Sequence, residues 1–168
     1  MDPGLQRSAR DRPGPAARGP AEYGRDLADA IDAAIPAWVE RSVDARYRAS
    51  LGPPPADVLA AARAAGEAAR ADIGPRARAL LSADIDDQWT TPLALVRQAV
   101  PYATRVLEAA GVPPVPRDRF ESERFPDDLY NLTPATFADV GPDVAEPGIA
   151  WGAAKAWAHR QRHGGETG

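Results

Sequence analysis

The side chains able to do chemistry are few and far apart. His159 and His163 are the only histidines, and a gap of four places both on one face of a helix, a spacing that allows a two-histidine metal site. No glutamate stands where a zincin motif needs one, Gly164 and Gly165 follow at once, and Lys155, Arg160 and Arg162 surround the pair with positive charge. Such surroundings oppose a metal and suit a helix C-terminus, so the pair reads as a basic helix end. Asp84, Asp86 and Asp87 offer hard oxygen ligands of the kind Mg²⁺ or Ca²⁺ accepts. The turn glycine and distal glutamate of an EF-hand are missing, however, and this segment reads as a solvated turn. Asp26, Asp29 and Asp32 form a row at gaps of three, which reads as the solvated start of a helix. With no cysteine, thiolate ligands, disulfides and a cysteine nucleophile are excluded. No nucleophile elbow, phosphate-cradling glycine loop or dinucleotide fingerprint is present. The sequence therefore assigns no catalytic residue, no metal and no cofactor.

Recognition is the chemistry that remains. Trp89, Arg117, Arg119, Phe120, Trp151 and Trp157 are bulky or bidentate side chains that fall outside the best helical stripes, and they are the candidate binding residues.

These residues have to be positioned by helices. Residues 93–110 carry Leu93, Val96, Val100, Ala103, Leu107 and Ala110 at spacings of three and four, with Arg97, Gln98, Arg105 and Glu108 between them. Thr91 can cap this helix, Pro92 suits its first position, and Gly111 with Pro113 and Pro114 stops it, so it is expected to be the central element. Pro101 inside it should bend the chain near residues 98–100, either to wrap the helix round its core or to free the Arg97 carbonyl for a ligand. Residues 22–48 are expected to be helical through Leu27, Ile31, Ile35 and Trp38, with Pro36 either kinking this helix or beginning a second one. After the break at Leu51-Gly52-Pro53-Pro54-Pro55, an alanine-rich helix opens at Asp57 and is expected to end at Gly74-Pro75, with a shorter helix beginning at Pro75.

Residues 112–146 contain six prolines, at 113, 114, 116, 126, 134 and 142, with a seventh at 147 directly after, and ordinary connections run only about 4 to 6 residues. Phe120, Phe125, Tyr130 and Phe137 should tie this segment down as a strap, with helical turns at 126–130 and 134–138. A final helix is expected from Pro147 to about Arg162, with Gly148, Gly152 and Ala156 as a stripe for close packing.

The expected architecture is all-α: a small bundle of about five to six helices, with the Pro-rich strap before the C-terminal helix. Residues 21–163 form one domain, flanked by disordered tails at 1–20 and 164–168. The core is short of large side chains, since 36 alanines outnumber the 29 Leu, Ile, Val and Phe residues together. Alanine favours helix but buries little area, which points to a homo-oligomer or a protein partner. A net charge of −4 argues against nucleic acid as the partner. No apolar run reaches the ~20 residues of a membrane span, and a cytoplasmic location is expected. The bias toward Ala, Arg and Pro is that of a GC-rich bacterial genome. The leading expectation is a non-catalytic helical interaction or regulatory protein. The alternative is a small-molecule- or metal-binding enzyme whose pocket lies between the Pro101 bend, Trp89 and the strap.

Overall fold

A computed structural model describes residues 20–82 and 91–164. The segments read as tails therefore lie outside the described residues, apart from Pro20 and Gly164, and so do Asp84, Asp86, Asp87 and Trp89. Among the described residues the secondary structure is helical throughout, and the all-α bundle is correct. No described helix is long and apolar enough to cross a membrane.

Helix α1 (Pro20–Leu51) buries Leu27, Ile31, Ile35, Trp38, Val39 and Val43 along one stripe. Gly52, at φ +87°, closes it with an amide donated to the Arg48 carbonyl, a left-handed stop that glycine makes without steric cost. Helix α2 (Ala56–Ser82) then returns along α1. This hairpin is the centre of the molecule, because α1 packs most extensively on α2 and also receives the last helix and the segment around Pro101. The central position expected for residues 93–110 belongs to α1 instead. Length decides this, since 32 residues can present a stripe to every neighbour.

The predicted break at Gly74-Pro75 does not occur, and α2 runs through it. A helical proline costs about 3 kcal/mol in lost hydrogen bonding and crowding. Ala77 and Leu81, buried beyond the proline on the same stripe as Ala69 and Ile73, offset that cost by holding the helix on α1. At the middle of the hairpin Gly66 faces Pro36, where an added Cβ would lie 2.9 Å from the proline Cα. The two helices thus approach to backbone contact, as an alanine-rich core requires.

Helix α3 (Pro92–Val96) starts as expected, with the Thr91 hydroxyl accepting the Ala94 amide at 3.2 Å. A 3₁₀ turn follows over Arg97–Ala99, and α4 (Val100–Ala109) takes Pro101 into its first turn. The departure from regular α-helix thus falls just before Pro101, where the sequence leads one to expect a bend. The Arg97 carbonyl is not freed for a ligand, because it accepts the Val100 amide. Gly111, at φ +78°, ends α4.

The next 27 positions, 110–136, contain one short helix, α5 (Arg119–Arg124), and a chain of specific contacts. Tyr130 is wholly buried and its hydroxyl donates to the Val112 carbonyl at 2.7 Å. The buried Asp128 carboxylate accepts the Leu132 and Thr133 amides and the Thr133 hydroxyl at 2.6–2.9 Å. Arg97 donates to the Pro134 carbonyl at 3.0 Å and lies over the Phe125 ring. Helical geometry falls at α5 and at α6 (Phe137–Val140), which overlaps the turn expected at 134–138 but starts three residues later, while residues 126–130 form turns and not a helix. Local caps explain the shift, with Asp118 capping α5 and a reciprocal Thr136–Asp139 capping box starting α6.

Helix α7 (Pro142–His163) starts at Pro142, one and a half turns before the expected Pro147, which sits inside it. Val144, Gly148 and Trp151 hold this first half against the bundle. Gly148 lies so close to Phe137 that an added Cβ would come within 2.5 Å of its ring. The small-residue stripe does not continue as a packing surface, because nothing lies within 4 Å of a Cβ placed on Gly152.

Candidate functional site

The polar groups of the bundle are used to fasten helices together. Asp32 is buried and receives Arg70 at 3.1 Å and Arg78 at 3.3 Å, so it is an interhelical clamp and not part of a solvated row. Its position follows from Gly74, whose missing side chain leaves room for the carboxylate. Near the Pro101 bend, the Tyr102 hydroxyl donates to Asp72 at 2.8 Å, Arg76 pairs with the same carboxylate at 3.1 Å, and Arg76 also donates to Gln98. The bond to Asp72 raises the Tyr102 pKa above its ordinary value. These groups bind α2 to the Pro101 segment. The third member of the imagined pocket, Trp89, is outside the described residues.

The candidate binding residues separate into two sets. Arg117 turns inward and donates to the Phe125 and Pro126 carbonyls, at 2.6 and 3.3 Å, so it holds the strap and is not a presented cation. Trp151 is buried against the bundle, with Lys155 above its ring at 5.2 Å and its indole N–H without a hydrogen-bond partner. Arg117 is half-buried and Trp151 buried, and the reason is the same for both: the strap and the first half of α7 have to be anchored on a core of small side chains. Arg119 and Phe120 do lie on the outside of α5, which buries no residue. Arg119 pairs with Glu123 at 2.8 Å, and Phe120 is 69% exposed.

Trp157 belongs to the second half of α7, where the arrangement changes. From Gly152 to Gly164 no residue is buried, and only Ala154, Lys155 and Ala158 are half-buried, so this half of the helix is packed far less than its beginning. Glu146, Ile149, Ala153, Ala156, Arg160 and His163 recur at alternating gaps of three and four, the seam spacing of a helix that pairs with another helix. Ile149 on this seam is 73% exposed, and Trp157 beside it is 48% exposed. Isolated exposed apolar residues are ordinary, but a seam of them along an unsupported helix is not. Sequence reasoning missed Ile149 because the search followed small residues at gaps of four, which drift off the seam. Counting gaps of three and four from Glu146 finds it.

His159 and His163 lie side by side at the far end of α7, with ring centroids 4.4 Å apart and the ring planes tilted by 49°. Among the described residues no group of three or more His, Asp or Glu side chains is arranged to hold a metal ion. The site is thus a helix face carrying Ile149, Ala153, Ala156 and Trp157, acidic at its start through Asp143 and Glu146 and basic at its end through Arg160, Arg162 and His163. No protein-family model matches the sequence, and no curated protein or solved structure matches the chain.

Proposed function

We propose that this is a non-catalytic interaction protein that works by docking the outer half of α7, in the cytoplasm, against another protein. One observation carries the reading. The helix goes on for three turns after its last buried residue, Trp151, and presents Trp157 to solvent there, with the exposed Ile149 just before Trp151. An unsupported helix of this length gains little from propensity alone, since most helical stability in proteins comes from packing an apolar face. A partner that covers the face supplies that packing. The exposed Phe120 on α5 is a second apolar anchor available to the same role.

Photo-crosslinking in the cell tests this reading. A photoreactive amino acid at position 157 is expected to give a discrete protein adduct, whereas the same probe at Ala60, exposed on α2, gives none. Equal adduct patterns from both positions, or no adduct from position 157, would contradict it.

A further inference from the structure

We propose, on the basis of that docking reading, that the partner of α7 is a second copy of this chain, paired antiparallel along the seam. The argument is charge complementarity. Asp143 and Glu146 stand near the start of the helix, and Arg160, Arg162 and His163 near its end. Parallel copies would set like charges side by side. Antiparallel copies bring the acidic end of each beside the basic end of the other, and a two-fold axis satisfies both ends at once.

The seam fits the same arrangement residue by residue. With Ala153 of one copy opposite Ala156 of the other, Ile149 meets the aliphatic stem of Arg160, and Glu146 comes within a turn of Arg160 and His163. Trp157, at the edge of the seam, is set over Ile149 of the second copy. Alanine at the crossing allows close approach, and the larger side chains lie on either side of it. Ala153 and Ala156 are both exposed, which leaves the crossing open to a second helix.

Sedimentation velocity of the purified full chain tests the pairing. A contact between single helices is at the small end of protein interfaces, so the run extends from about 1 to 200 µM. The expected result is a reversible monomer–dimer equilibrium that weakens at high salt. Ala153→Glu, at a solvent-exposed position of the monomer, puts like charges together at the crossing and weakens the dimer at least tenfold. Glu146→Arg also weakens it, and adding Arg160→Glu to that variant restores it, a rescue that a misfolded variant would not give. A chain that remains monomeric throughout overturns the proposal, as does a dimer indifferent to Ala153→Glu and to the charge reversal. If that monomer still forms a position-157 adduct with a different protein, the docking reading stands and only the second copy fails. A monomer with no adduct removes both.

Discussion

Replacing Tyr130 with alanine is expected to destabilise the protein by about 3–5 kcal/mol, the usual cost of emptying a large aromatic site in a core. At this chain length that lowers the thermal midpoint by roughly 6–20 °C. The size of the effect comes from where Tyr130 sits. Among the described residues it is the largest fully buried side chain, in a core made mostly of Ile, Val, Leu and Ala, and its hydroxyl holds the Val112 carbonyl at the other end of the strap. Tyr130→Phe keeps the volume and loses only the bond, so the buried carbonyl is left unpaired at a cost of about 1–3 kcal/mol. The phenylalanine variant also has a pH signature. Burial, reinforced by the negative charge of Glu108, raises the Tyr130 pKa above the ordinary value of 10.0. The unfolded chain therefore releases this proton at lower pH than the folded one. Its contribution to stability is complete below pH 10 and is lost as pH climbs above it. Tyr102 acts in the same direction. Denaturant titrations on both sides of that pH should show a shallower alkaline loss for Tyr130→Phe than for the parent. A Tyr130→Ala variant within about 1 kcal/mol of the parent would show that the strap is not anchored through this ring.

The second large effect is expected at Gly66, where Gly66→Val should cost about 1–3 kcal/mol or more by overpacking. The added Cβ falls 2.9 Å from the Pro36 Cα and 3.0 Å from its carbonyl oxygen, and these are backbone atoms that cannot swing aside. Relief requires α1 and α2 to part, which loosens Ile35, Val39, Ala62 and Ala69 together. Gly152→Ala is the contrast. Open space surrounds that position, so removing a helical glycine should stabilise the dilute monomer by about 0.5–1 kcal/mol. Thermal unfolding of both variants checks the pair of signs. A Gly66→Val midpoint equal to the parent's would mean that the hairpin is less tightly closed than its backbone contacts imply.

These cases show where the sequence is legible and where it is not. The spacing of Leu27, Ile31, Ile35 and Trp38, and the Thr91 cap with Pro92, are local signals, and the structure follows them. The 3₁₀ turn before Pro101 is local too, since the proline removes its own amide wherever the rest of the chain lies. Gly74-Pro75 and Pro147 carry the same local signal for a break, yet both remain within helices. Tertiary burial of Ala77 and Leu81 beyond the first, and of Gly148 and Trp151 beyond the second, outweighs the local cost, and no window of sequence contains that information. The proposed docking face was legible only in part. Trp157 stood out by its type. Arg117 and Trp151 looked the same on paper, and only the fold reveals that they are spent on carbonyls and core.

The absence of cysteine makes one experiment especially clean, because a single introduced thiol reports one position. Ala153→Cys places it on the α7 seam and Ala60→Cys on the exposed side of α2, both positions being exposed in the isolated chain. In dilute purified protein the two thiols should react with a maleimide at similar rates. In intact cells that make the protein, the thiol at 153 should react several-fold more slowly than that at 60, because its helix face is covered there. An unchanged ratio of the two rates between dilute solution and cell would contradict the account, since it would leave the outer half of α7 bare where the protein works.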